Sequence, residues 1–379
     1  MTIYIQPPDP SPEPDVVHIG VLSDPGLPTD LADWLVEHLP AILTATVSDE
    51  VVWTVSRKRE PIVLDEHGRI PVADLAQEYK HANGWVLMLL LTDLPRRSGR
   101  RVVASEVSSS QGVGVVSVPA LGALRLRHRI RELVVDLVRR LTAAESAVAP
   151  ARRGRRFRKP DSPRLLSHSR YVTSDDPDID EQMALLGPQG RFRLLAGLVR
   201  DNRPWRLVPH LSSATAAAAA TSAYAIVTSD LWIMANALSI TRLALINIVA
   251  IAAMAIWLIY YNHLWDRTSD LGARAETILY NSATVLTLAL GVTCMYALLF
   301  AASFLAAIAL VDPGYLASIM HRPAALDVYA ELVWLSSSIG IVAGALGSSL
   351  ESEEAVRNAT YGRRERMRHR DLATRDEDG

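Results

Sequence analysis

The spacing of apolar residues changes character part-way along this chain. In the first part, Val16 to Leu22 (VVHIGVL), Val51 to Val55, Arg101 to Val107 and Gly114 to Val118 read as β-strands. Trp85 to Leu91 (WVLMLLL) is apolar throughout and reads as a central strand. Between them, Pro28 to Leu43 repeats Leu31, Trp34, Leu35 and Leu39 at helical spacing, and Val72 to Lys80 predicts a shorter helix. Asp65-Glu66-His67-Gly68 marks a tight turn. Arg125 to Leu141 aligns Leu126, Ile130, Leu133, Leu137 and Leu141 along one side of a closing helix. The pattern predicts an α/β domain over residues 1–145, with a mixed sheet because the last strands lack intervening helices.

From Trp205 onward the apolar runs lengthen to what a bilayer requires, about 20 residues for roughly 30 Å of hydrocarbon. They predict an all-α transmembrane domain over residues 207–351 with four helices: Leu211 to Ser229, Leu243 to Tyr261, Asn281 to Val311 and Leu332 to Leu350. The first, built from Ala, Ser and Thr, is the least hydrophobic. The third is 31 residues free of charge, too short for two spans and a turn, hence one long or tilted helix. Residues 146–190, rich in Pro, Ser, Gly and charge, read as a flexible linker. Residues 191–206 (RFRLLAGLVRDNRPWR) place Phe192, Leu195, Leu198 and Val199 on one face, and read as a helix lying on a membrane surface. Its candidate lipid contacts are Arg191, Arg193, Arg200, Trp205 and Arg206. Asp312-Pro313 predicts the capped start of a short helix carrying Tyr315, Leu316, Ile319 and Met320, and Asp230 an equivalent cap for Leu231 to Leu238.

Composition supports this division. Hydrophobic residues make up 49% of the chain but aromatics only 6%, so the excess is aliphatic, as suits helices in lipid. The lone cysteine, Cys294, rules out a disulfide framework. The net charge of −2 hides an asymmetry: residues 1–50 hold nine Asp or Glu and no Lys or Arg. The Pro-rich start, Met1 to Asp15, has no apolar segment of the secretory type. Basic residues gather beside the spans, from Arg152, Arg153, Arg155, Arg156, Arg158 and Lys159 through Arg206, then Arg267 and Arg274, and again in the tail at 352–379. The other side has only Arg242 and Arg322. The positive-inside rule therefore predicts a multi-pass protein of the cytoplasmic membrane with both termini in the cytoplasm. Anionic lipid headgroups are the expected partners of the basic segments, and specific nucleic-acid binding is not expected.

Candidate chemistry is sparse. None of the four predicted spans contains Asp, Glu, Lys, Arg or His, and no pair of similar halves or Gly/Pro-broken helices is present, which disfavours ion-coupled transport. Gly340 and Gly344, extended by Gly347, form a small-residue motif that serves either packing inside the bundle or self-association. Gln111-Gly112-Val113-Gly114 lacks the third glycine and the following helix of a dinucleotide site, so no cofactor is called for. The histidines have no metal-ligand spacing. An enzymatic cleft, if present, would lie at the strand ends near Thr92, Asp93 and Glu106.

The order of elements from Thr92-Asp93-Leu94 to the closing helix resembles an archaemetzincin-type protease core. Where that family carries a zinc-binding His-Glu-x-x-His, this chain has Arg131-Glu132-Leu133-Val134-Val135. Only the glutamate matches, so the resemblance implies at most an inactive relative. The back half resembles a group of uncharacterised actinobacterial four-span membrane proteins. Carrying this are Arg193 to Pro209 (RLLAGLVRDNRPWRLVP), Leu264-Trp265-Asp266-Arg267, and Gly344 to Gly362 (GALGSSLESEEAVRNATYG). Members are sometimes labelled methylene-tetrahydrofolate dehydrogenases, an activity for which this chain lacks the dinucleotide fingerprint. The expectation is a membrane-anchored scaffold or partner-binding protein whose cytosolic α/β domain binds a partner protein or small ligand. Alternatives are an inner-leaflet enzyme and a channel or carrier for an apolar solute. Homo-oligomers are compatible with each.

Overall fold

The computed structural model describes residues 15–65, 69–99, 101–148, 169–174, 176–266 and 274–350. The Pro-rich lead, most of the 65–68 turn, the Arg152–Lys159 cluster, Arg267 and the basic tail lie outside them. The chain forms two compact units, residues 1–197 and 198–379.

The first unit is an α/β sheet. Its strands are β1 (Val16–Ser23), β2 (Val52–Arg59), β3 (Leu87–Thr92), β4 (Arg96–Ser98), β5 (Arg101–Ser108), β6 (Val113–Ser117), β7 (Ser169–Thr173) and β8 (Glu181–Leu185). Their order is β2-β1-β3-β6-β5-β8-β7, with β4 paired to β5. The first four in that order run parallel, and β5, β8 and β7 continue antiparallel. Helices α1 (Leu27–Thr46) and α2 (Val72–Asn83) make the two crossovers, and α3 (Leu126–Val148) follows β6.

Side-chain spacing sets these layers. On α1, Leu31, Leu35, Leu39 and Leu43 recur every four residues and are all buried. Each contributes about 1.5–3 kcal/mol by leaving water. On the α2 side, Val72, Ala76 and Tyr79 meet Leu22, Met88, Leu90, Val113 and Val115. Gly20 in β1 lies beneath the Trp85 indole, where a Cβ would sit 1.8 Å from the ring. The opposite edge strand, β2, carries Arg57, Lys58 and Arg59, charges that discourage further strand pairing.

Residues 169–185, expected as part of a flexible linker, instead form β7 and β8. The polar residues Glu181 and Gln182 and the Asp/Pro-rich turn before them mask the strand pattern. Yet β8 is an interior strand, buried from Gln182 to Leu185. The expected surface helix begins earlier than its apolar pattern suggests. It is α4, Gly187–Asn202, and it ends before Arg203, whose φ is 50°. Its buried positions include Leu194, Leu198 and Val199, while Phe192 is 72% exposed. Gly197 lies against the Pro119 carbonyl, where a Cβ would come within 2.0 Å. Part of this helix thus packs on its own protein rather than floating free.

The second unit is helical. After α4 come α5 (Leu207–His210), α6 (Ser212–Val227), α7 (Ser229–Ala237), α8 (Ile240–Tyr261), α9 (Arg274–Leu310), α10 (Pro313–Met320) and α11 (Leu326–Gly347). Among the described residues, three helices are long and apolar enough to cross a membrane: Ile240–Tyr261, Thr277–Leu310 and Leu326–Gly347. The Ala-rich α6 has 16 residues, about 24 Å at 1.5 Å each, and does not reach that length. Asp312 caps α10 as expected, accepting from the Tyr315 amide at 2.9 Å. Asp230 does not cap α7. It sits inside the first turn, and the cap position is Thr228, without a side-chain hydrogen bond.

α11 lies at the centre of this unit and packs against α6, α7, α8 and α9. Its contact with α6 is built from small residues. A Cβ on Gly340 would lie 2.7 Å from the Ala218 carbonyl oxygen, one on Gly344 2.9 Å from that of Ala214, and one on Gly347 2.7 Å from the Ala217 Cβ. These glycines let two backbones touch inside the bundle. Ser222 and Ser303 share a hydrogen bond at 2.9 Å between α6 and α9. Gly340→Leu is expected to separate α6 from α11 and lower the thermal unfolding midpoint of detergent-solubilised protein, at a cost of about 1–3 kcal/mol or more. An unchanged midpoint would mean that this contact does not hold the bundle together.

Candidate functional site

In open α/β sheets, ligands sit beyond the carboxyl ends of the strands where the strand order reverses. Here that point lies between β1 and β3: the chain leaves β1 toward β2 on one side, then crosses back to β3 on the other. Asp24, the first residue after β1, occupies it and is fully buried. Its Oδ1 accepts from the Ile62 amide at 2.8 Å. Its Oδ2 accepts from the Thr92 hydroxyl at 2.7 Å and from the Asp93 amide at 3.3 Å. Thr29 donates to the Asp24 carbonyl at 2.8 Å. One carboxylate therefore joins the loops that follow β1, β2 and β3.

Of the expected cleft residues, Thr92 is buried in this knot and Asp93 is half-buried beside it. Glu106 lies elsewhere. It is on β5, paired opposite Val115 of β6, so a whole strand separates it from Thr92, about 10 Å at 4.8 Å per strand. The Arg96 guanidinium grips it: Nε lies 3.3 and 3.2 Å from the two carboxylate oxygens and Nη2 3.2 Å from Oε1. Burial pushes the Glu106 carboxyl above the usual glutamate value, and Arg96 pulls it back. This is an internal ion pair on a strand that β6 separates from Thr92.

A second polar cluster lies beside α3. Asp136 is 3% exposed, and its Oδ2 accepts from the Tyr171 hydroxyl at 2.6 Å and from Arg140 Nε at 3.0 Å. Arg140 also reaches Glu181 at 2.8 Å and stacks over the Tyr171 ring at 3.5 Å. The Asp136 Oδ1 is buried without a hydrogen-bond partner among the described residues. The cluster clamps the β7–β8 hairpin onto α3. Burial, then the charge of Asp136, pushes the Tyr171 hydroxyl well above the usual tyrosine value, so this phenol does not act as a base near neutrality.

The sequence reading passed over both aspartates. Each has a recognisable signal: Asp24 ends an apolar strand run, and Asp136 interrupts the apolar stretch Val134, Val135, Leu137 of a helix. Glu132, the one residue that matches the protease-like motif, stands one turn from His128 on α3 at 3.3 Å, both partly exposed. Among the described residues no group of His, Cys, Asp and Glu can hold a metal ion. In the second unit, Trp205 and Arg206 are exposed, and Arg200 buries its Nη1 without a partner. In the first unit Arg191 is exposed and Arg193 half-buried. An open apolar groove of about 1130 Å³ runs along α8 and α9, lined by Ala252, Ala255, Ile256, Val285 and Ala289, with Tyr260, His263 and Trp265 also on it. Its lining suits hydrocarbon.

Comparison with protein-family models, curated proteins and solved structures finds no match to this chain.

Replacing Asp24 with Ala orphans a buried amide and a buried hydroxyl and is expected to destabilise the protein by about 3 kcal/mol or more, read from denaturant titration. Tyr171→Phe removes a hydrogen bond to a buried charge, worth about 1.5–3 kcal/mol. Folded Tyr171 keeps its proton to a higher pH than an unfolded tyrosine. Its contribution is therefore complete below about pH 10 and is lost as the pH rises further. The stability gap between wild type and Tyr171→Phe should be constant near neutrality and shrink in alkali. A gap that widens there would contradict the assignment.

Proposed function

We propose that this chain is a multi-pass membrane protein whose α/β unit, on the cytoplasmic side, binds a protein partner, while the helical unit anchors it and offers an assembly surface. The observation that carries this reading is the state of the Asp24 carboxylate. At the position where an α/β enzyme would hold its ligand, Asp24 is committed to joining three of its own loops. The helical unit supports the same reading: its buried faces are apolar or of small hydroxyl and amide residues, suited to packing rather than to moving ions.

The proposed topology has four crossings, with α6 as the first despite its length. It crosses as the partner of α11, which hides much of its small-residue face. Both termini are then cytoplasmic, in keeping with the basic flanks. If α6 does not cross, the termini fall on opposite sides. Single cysteines introduced into a Cys294→Ser protein, one near the start and one in the tail, should both be shielded from an impermeant thiol reagent in intact cells and both react after lysis. Labelling of the tail alone from outside would overturn the topology. Cross-linked full-length protein is expected to retain a partner that is lost when surface residues of the α/β unit are changed. Steady turnover of a small molecule by the purified protein alone would refute the partner-binding reading.

A further inference from the structure

Two arginines from different helices meet over one glycine, just past the carboxyl end of β6. The chain there makes a tight turn, Pro119–Leu121, and reaches Gly122, whose φ is +80°. A Cβ on Gly122 would lie 2.7 Å from Arg193 Cγ of α4 and 3.0 Å from Arg129 Nη1 of α3, so both side chains crowd a single small spot. Arg129 donates to the Leu121 carbonyl. Arg193 has no hydrogen bond or carboxylate partner among the described residues. The first turn of α3 contains no acid, and Glu132 faces His128 instead. Burial, then the charge of Arg129, pushes the Arg193 guanidinium below the usual arginine value. Arg125 and Arg127, close by in the chain, are exposed and add to the positive field.

Two cations held together in a half-buried niche repel each other, and an anion with several oxygens relieves that repulsion. We propose that Arg129 and Arg193, converging over Gly122, form a binding site for a phosphate group. The planar guanidinium fork matches phosphate oxygens two at a time, and Gly122, with no side chain of its own, lets the Arg193 stem and the Arg129 guanidinium come this close together. The phosphate has two possible carriers, a soluble phosphorylated molecule or a phospholipid headgroup. Leu124 and Phe192, adjacent in sequence to Arg125 and Arg193, are 74% and 72% exposed, a combination of apolar tips and arginines that suits a bilayer surface. The site does not depend on the partner-binding reading or on the number of crossings.

The test uses full-length protein in an uncharged detergent. It is titrated with inorganic phosphate, glycerol 3-phosphate or short-chain phosphatidic acid, with sodium chloride at matched ionic strength as the control. Binding is followed by calorimetry and by the thermal midpoint. Phosphate-bearing probes are expected to bind and raise the midpoint above the chloride control. Arg193→Gln should weaken binding about ten- to hundredfold. Without probe, this variant should unfold at the wild-type temperature or higher, because it removes a repulsion. Equal binding of soluble and lipid probes supports the site with a soluble phosphate as its ligand, and binding of phosphatidic acid alone supports it with a headgroup. No response to any probe, equal binding by wild type and folded Arg193→Gln, or a lower midpoint for Arg193→Gln without probe would each overturn the proposal.

Discussion

The α/β unit is organised around one buried carboxyl group, that of Asp24. Asp24 is held by two backbone amides and a hydroxyl from the loops after β2 and β3. A carboxylate removed from water carries a large desolvation penalty, and only a full set of donors offsets it. The donors come from the connection after β2 and from the end of β3, so both must be in register for the buried side chain to be satisfied. The same constraint fixes the edge of the sheet on which any ligand would be met.

The helical unit rests on a different principle. Where hydrocarbon surrounds helices, burying apolar side chains gives little, and close backbone approach with occasional hydroxyl contacts takes over. The α6–α11 contact follows that logic: alanines on one helix, glycines on the other, and Ser222 answered by Ser303. Neither aspartate cluster nor arginine pair has a counterpart among the buried residues there. Arg322 and Glu331 do pair, Glu331 lying in the second turn of α11, within its candidate span.

Much of this was legible in the sequence wherever periodicity was strong. The α1 leucines, the apolar β3 run and the long α9 were readable because burial on one face, or on all faces, leaves a regular trace. The reading failed where burial is decided by partners distant in sequence. β8 looks polar because Glu181 and Gln182 open it, yet β5 and β7 flank it and Glu181 is answered by Arg140, 41 residues away. Glu106 was grouped with Thr92 because both end apolar runs, but strand order places β6 between them. Arg193 read as one more surface charge because nothing local announces that Arg129 stands beside it.

The weakness of α6 as an independent hydrophobic segment has a consequence for biogenesis. Its mixture of Ala, Ser and Thr offers little apolar surface by itself, and its main neighbour, α11, is made only after α7 to α10. During synthesis α6 therefore lacks its main packing surface until the glycine face of α11 has been made. Assembly of this bundle is closed from its two ends inward in sequence, so truncation before α11 would strand the first helix as well as remove the last.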